Sequence, residues 1–351
     1  MKIIKNFLIN VRRTKIWYNF LSFLLLPFYS FVWEFVINLH GKILYFFWIS
    51  KKNEKFDLKK NSSLIVRDDL NYIDLANSIN NFFPKEKIEN IIKKKKKNID
   101  SEKKNFDFID YNFEINDELS VKLKEKILDF SLSDKNLSTV ANYLKVFPII
   151  SLISLQLNIP VDEKSERGSM LWHKDDFGFK SLDLFITISE LNLNNGPLYF
   201  LKKNNPLGVF SKIEDIVINP RPGERNKVNI ENFNKYYTDS DTDALMGKPG
   251  DALFIDSTRT YHRGGYCKSK NRLMLRITYQ TPDSIRKSVL KEKFIKEDYA
   301  ENKLKQNMFL NYAVFKKFNF FLTFINLKEN LMFIYKNLHF KMNLKNIKNL
   351  F

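Results

Sequence analysis

The stretch GKPGDALFIDSTRTYHRGGYCKSKNRLMLRITYQ, Gly247 to Gln280, holds two short β-rich runs, Ala252–Ile255 and Leu273–Tyr279, each set off by turn residues. Lys248-Pro249-Gly250-Asp251 precedes the first run, and Gly264-Gly265 lies between the two. Working outward, the same texture extends from about Glu118 to Asp283. Val146–Ile159, Leu182–Ile188 and Leu198–Leu201 are further apolar runs, punctuated by Asn194-Asn195-Gly196-Pro197 and Pro220-Arg221-Pro222-Gly223. Short runs at this spacing predict an antiparallel sandwich or barrel rather than alternating βαβ units. The chain has no Gly-rich phosphate loop, dinucleotide fingerprint or Gly-x-Ser-x-Gly elbow, which argues against nucleotide-dependent and α/β-hydrolase chemistry.

Around this core the chain divides by composition into residues 1–50, 51–117, 118–285 and 286–351. The first segment pairs a cationic start (Lys2, Lys5, Arg12, Arg13, Lys15) with an uncharged aromatic run, Ile16–Trp33, and a second apolar stretch, Ile43–Ile49. It reads as membrane-associating, whether spanning, lying on the surface, or packed on the protein's own core. Residues 51–117 read as a helical lead-in and a charged linker, with Lys93–Lys97 as a solvated loop. The tail of 286–351 becomes a basic amphipathic helix over residues 311–351, suited either to an anionic membrane or to covering the barrel. The single cysteine, Cys267, excludes an intrachain disulfide and fits a reducing, cytoplasmic compartment, free or at the inner face of the membrane. The formal charge is +18, but it rests on 47 Lys against 11 Arg in a chain also rich in Asn, Ile and Phe, a pattern of A/T-rich codons. With no zinc-finger, RNP or basic-zipper pattern beside the charge, nucleic acid is not expected as a partner.

Only four histidines occur, and two stand in the β-rich region. In Leu171-Trp172-His173-Lys174-Asp175-Asp176, a strand places His173 and Asp175 on one face, because side chains alternate with period two. Asp176 points the other way. His262 follows the Ala252–Ile255 run and is placed to supply a third ligand from the opposite wall. Two imidazoles and one carboxylate on one face of an octahedron leave three positions open, the ligand set of non-haem Fe(II) oxygenases. Ten residues past His262, Arg272 opens the last strand, where a guanidinium can grip a carboxylate with two parallel hydrogen bonds. Arg276 shares its face and is either a second anion contact, the true clamp, or a partner of acids on the wall. His40 and His339 lie in apolar segments and read as interfacial.

These pieces resemble the phytanoyl-CoA dioxygenase-like group of Fe(II)/2-oxoglutarate oxygenases. The matching motifs are Trp172-His173-Lys174-Asp175, Leu184–Ile188 leading to Asn195-Gly196-Pro197-Leu198, Gly250-Asp251-Ala252-Leu253-Phe254-Ile255-Asp256, and His262-Arg263-Gly264-Gly265 followed by Arg272. The resemblance implies a mainly β core with α flanks, namely a double-stranded β-helix (a jelly-roll, cupin-like barrel) with helical N- and C-terminal extensions. It implies iron held by His173, Asp175 and His262, with 2-oxoglutarate on Arg272 and O₂ as oxidant. Trp172, Gln156, Asn158 and Arg276 are further candidates for the 2-oxoglutarate pocket, and Tyr199 and Tyr279 for its walls. The implied reaction is hydroxylation of an unactivated C–H of a small-molecule, lipid or lipid-linked saccharide substrate, with succinate and CO₂ as co-products. The competing expectation, from a different class, is a catalytically silent membrane-associated jelly-roll binding or scaffold protein. One departure is Lys202-Lys203-Asn204-Asn205, where the family has a Pro-Gly-Ser-His-like turn; another is the spacing from His262 to Arg272, one residue shorter than in familiar members.

Overall fold

The computed structural model describes residues 34–49, 56, 58, 62–102, 112–160, 168–175, 181–202, 227–282 and 307–315. Eleven strands among these residues form two antiparallel sheets. They are β1 (Ser63–Val66), β2 (Asn112–Glu114), β3 (Ile149–Asn158), β4 (Trp172–His173), β5 (Ser181–Thr187), β6 (Leu198–Leu201), β7 (Lys227–Val228), β8 (Thr242–Leu245), β9 (Ala252–Ile255), β10 (His262–Gly264) and β11 (Arg272–Gln280). One sheet runs β1-β9-β5-β11-β3-β2 and the other β7-β4-β10-β6-β8. From β3 to β6, and again from β8 to β11, successive strands alternate between the sheets, whereas β6, β7 and β8 all belong to the smaller one.

The period-two pattern of β11 shows how the larger sheet buries both faces. Leu273, Leu275, Ile277 and Tyr279 enter a core shared with the helices, together with Ile153, Leu155 and Leu157 of β3. The opposite face meets the second sheet: Met274, Phe185, Leu253 and Ile255 pack against Leu198, Phe200 and Leu245. Arg272, Arg276 and Thr278 share that inner face with Met274. Both sides being buried, the strands read as nearly continuous apolar runs, and the polar residues among them stand inside the molecule.

Residues 51–117, expected as a helical lead-in and charged linker, hold helices Leu70–Phe82 and Lys85–Glu102 and also supply both edges of the larger sheet, β1 on β9 and β2 on β3. Strands of four and three residues carry too little local pattern to announce pairing with partners far along the chain. The Lys93–Lys97 run lies on helix Lys85–Glu102 rather than in a loop: lysine is a good helix former, and Ile88, Ile91 and Ile92 anchor the helix to the core. Helix Asp134–Leu144, capped by Ser133 and ended by left-handed Lys145, covers the helical face of the larger sheet.

Helix Glu34–Ile49 contains the second apolar stretch of the N-terminal segment and is docked on this core. Trp48 Nε1 donates to Ser138 Oγ at 3.0 Å, and its ring lies 5.3 Å from Phe147. The other side of that helix exposes Leu39, Ile43, Phe46 and Phe47. Helix Met308–Phe315 buries Tyr312, Ala313 and Val314, with Phe309 against Trp48. The aromatic run Ile16–Trp33 and the basic tail 316–351 with His339 lie outside the described residues. Among the described residues no helix is long and apolar enough to cross a membrane.

Candidate metal centre

His173 ends β4 and His262 opens β10, and the two residues are direct cross-strand partners with ring centroids 4.4 Å apart. Asp175 follows two residues after His173, its backbone N–H donating to Ser257 O at 2.8 Å. One ligand atom from each of His173, Asp175 and His262 lies within 4.8 Å of the others, a group able to hold a metal ion. His173 Nε2 is 3.6 Å from Asp175 Oδ1, and His262 Nε2 is 3.9 Å from Asp175 Oδ2. Both Nδ1 atoms face backbone carbonyls two residues back, Leu171 O at 2.7 Å and Thr260 O at 3.1 Å. A carbonyl only accepts, so each Nδ1 carries a proton and each Nε2 is the nitrogen turned toward the carboxylate, the one left to ligate a metal.

Electrostatics prepares the same group. Burial is the largest influence and raises the Asp175 pKa, but the Arg276 guanidinium together with His262 and His173 outweighs it and holds the carboxyl well below the usual range, so the ligand is already ionised. Arg276 meets Asp175 through Nη2 and Asp183 through Nε at 3.0 Å and Nη2 at 2.9 Å. Arg276, expected as a 2-oxoglutarate contact or clamp, is therefore engaged by two carboxylates. Asp183 is fully buried and also accepts from the Thr278 hydroxyl. Sequence reading passed over Asp183; its signal is a lone acid inside Ser181-Leu182-Asp183-Leu184-Phe185-Ile186-Thr187.

Arg272 stands four residues back along β11 on the same inner face, roughly 14 Å along the strand at ~3.4 Å per residue. It is 7% exposed, with Nε on Asn158 Oδ1 at 3.1 Å and Nη1 on the Gly196 carbonyl. Asn158 thus braces Arg272, to which it is register-paired. Gly196 adopts φ +70°, and a Cβ there would lie 2.4 Å from Gly265 O, so the Asn195-Gly196-Pro197 turn requires glycine to bring its carbonyl to Arg272. Gln156 is half-buried on the same face, opposite Met274 and Glu114.

Trp172 is not beside the ligands. Adjacent residues on a strand face opposite ways, and Trp172 stacks on Phe233 with centroids 4.0 Å apart at 7°, on the outer side of the smaller sheet. Tyr199 lies there too, 4.6 Å from the Arg263 guanidinium. Tyr279 belongs to the helical core and donates to Ser131 O at 2.7 Å.

A second buried carboxylate shapes the loop between β9 and β10. Asp256 accepts from Thr258 N, Thr258 Oγ1 and Tyr143 Oη at 3.2, 2.6 and 2.7 Å. This loop carries the two carbonyls that matter at the centre, Ser257 O under Asp175 and Thr260 O under His262. Burial raises the Asp256 pKa despite these bonds. Cys267 is free and buried, its thiol donating to Asn195 O at 3.1 Å.

No family model matches the chain, and no curated protein matches it. Among solved structures the chain is similar to EvdO2 from Micromonospora carbonacea var. aurantiaca complexed with 2-oxoglutarate, at 14% identity and TM-score 0.32 over 46% of this chain and 65% of that one. It is also similar to the epimerase SnoN in complex with Fe3+, alpha ketoglutarate and nogalamycin RO (9%, TM-score 0.32, 68% and 84%) and to the non-heme monooxygenase ThoJ (11%, TM-score 0.38, 64% and 75%). The chain spans just under two thirds of the length of EvdO2. At such scores and identities, the chemistry open to this chain rests on its own side chains.

Proposed function

We propose that the protein is a non-haem Fe(II)- and 2-oxoglutarate-dependent oxygenase, of the phytanoyl-CoA dioxygenase-like kind, built on a double-stranded β-helix. The observation that carries the reading is the juxtaposition of His173, Asp175 and His262, with both imidazoles in the ligating tautomer. The donor set fits Fe(II), which two borderline nitrogens (His173, His262) and one hard, ionised oxygen (Asp175) would hold. When bound, Fe(II) and 2-oxoglutarate supply the O₂ chemistry that hydroxylates an unactivated C–H, with succinate and CO₂ as co-products. The chain's share is placement. Arg272 is suited to grip the distal carboxylate of 2-oxoglutarate, braced by Asn158 and Gly196, while the carbonyls of Leu171 and Thr260 keep the imidazoles aimed. A silent scaffold would have no need of this tautomer control.

The decisive experiment is anaerobic titration with Fe(II) and then 2-oxoglutarate, followed by the visible metal-to-ligand charge-transfer band, beside His173→Ala. A band in the wild type that the variant lacks supports the reading; no band in folded wild-type protein overturns it.

A lipid or lipid-linked saccharide is the favoured substrate class. Its support is the exposed side of helix Glu34–Ile49, where Leu39, Ile43, Phe46 (68% exposed) and Phe47 recur at helical spacing after a cationic, aromatic N-terminal stretch. The full chain should co-sediment with phosphatidylglycerol-containing vesicles, and Ile43→Ser/Phe46→Ser should weaken this. Absence of vesicle binding would return the substrate to the soluble small molecules.

A further inference from the structure

The buried acid that no motif announced is Asp183. It lies on β5, directly across from Thr278 of β11, and receives three bonds: the Thr278 hydroxyl and two N–H groups of Arg276, Nε at 3.0 Å and Nη2 at 2.9 Å. The Nε and Nη2 edge of the guanidinium is the one that forms a side-on, two-bond pair with a carboxylate. Asp183 takes both bonds of that edge. Asp175 receives a single Nη2 contact, on Oδ2, while its Oδ1 faces His173.

This division matters because a guanidinium and a dication compete for the same carboxylate oxygens. An Arg276 released from Asp183 would turn its two-bond edge onto Asp175 and cover the ligand. Phe185 lies beneath the guanidinium at 5.2 Å and fixes its plane without competing for its protons.

We propose, building on the metal-centre reading above, that Asp183 is a positioning residue. By engaging Arg276 side-on, it keeps Asp175 available to the metal as a one-oxygen ligand, and so sets the affinity of the centre. Asp183 is not one of the three grouped ligand residues; it acts through Arg276.

The test is titration of the full chain with Co(II) alone, followed by the visible d–d absorption, for the wild type, Asp183→Asn and the double variant Asp183→Asn/Arg276→Gln. Folding is checked by near-UV circular dichroism. Asp183→Asn should weaken Co(II) binding by about 10- to 100-fold, the range found for outer-shell partners of metal ligands. Removing the competing cation should then recover most of that loss in the double variant. Rescue by a second deletion is what a merely structural residue would not produce, since its losses would accumulate. Unchanged affinity in Asp183→Asn overturns the proposal, and so does a loss that Arg276→Gln fails to restore.

If Asp183→Asn does not fold, Thr278→Val takes its place. It removes one neutral donor from Asp183 and should loosen Co(II) binding by about two- to fivefold; no change there is equally fatal. A wild type that binds no Co(II) would instead sink the metal-centre reading itself, so the two failures are distinguishable.

Discussion

Truncating Arg272 should separate the anion site from the metal site. The guanidinium is 7% exposed and lies on the inner face, two strand positions from Met274 and four from Arg276. A carboxylate held there by two charge-assisted hydrogen bonds, in a site sealed by Asn158 and Gly196, owes about 3–6 kcal/mol to the pair, since bonds to charged groups contribute ~1.5–3 kcal/mol each. At about 1.4 kcal/mol per factor of ten, Arg272→Ala should weaken 2-oxoglutarate binding roughly 10²- to 10⁴-fold. Fe(II) affinity should move by less than about threefold, because the three ligands and Arg276 are untouched. The variant also strands Asn158 Oδ1 and the Gly196 carbonyl without their Arg272 donors, at ~1–3 kcal/mol for each acceptor so deprived, so a loss of about 2–6 kcal/mol in stability accompanies it. Arg272→Lys keeps the charge without the fork and should fall between the two. The assay is anaerobic titration of 2-oxoglutarate into the Fe(II)-loaded variants, read from the charge-transfer band, with urea unfolding alongside. A folded Arg272→Ala protein that binds 2-oxoglutarate within threefold of wild type would refute the reasoning and move the anion site elsewhere.

Three further outcomes follow from the geometry. Trp172→Ala removes a ring stacked at 4.0 Å on Phe233 and should cost about 3–5 kcal/mol in urea unfolding while leaving Fe(II) affinity unaltered, because the ring faces away from His173. Gly196→Ala combines a left-handed φ with a Cβ 2.4 Å from Gly265 O; it should destabilise by at least ~1–3 kcal/mol and loosen 2-oxoglutarate through the lost carbonyl on Arg272, both measurable on one preparation. Asp256 carries a pKa raised by burial, so the folded state holds its proton more tightly than the unfolded chain does. Its contribution to stability therefore declines as pH rises from about 4 through the folded pKa, and Asp256→Asn should flatten that part of the stability–pH curve; matching slopes in the two proteins would contradict it.

Much of the centre was legible from the chain alone, because strand periodicity is a local rule. It put His173 and Asp175 on one face, and it put Arg272 and Arg276 on one face. Applied to Trp172 it also gives the outward direction that the structure displays, since that residue neighbours His173. The punctuated runs from Val146 to Tyr279 likewise announced antiparallel strands, whereas Val121–Ser131 and Asp134–Leu144, expected in the same β-rich stretch, are helices; the scarcity of histidine singled out His262. Less legible were β1 and β2, whose few residues become strands only through pairing with β9 and β3, and the lysine run, whose helix depends on isoleucines anchored in a distant core.

What the sequence determined by itself is therefore the inventory: which residue types could ligate, which could grip an anion, and which share a face of a strand. What only the tertiary structure decided is who holds whom. Arg276 is matched to Asp183 by the register of β11 on β5, and Thr258 and Tyr143 close on Asp256 from a loop and a helix more than a hundred residues apart. Side-chain direction follows from the alternation of a single strand. Partnership across strands follows from register and topology, which are properties of the whole chain and are written in no single stretch of it.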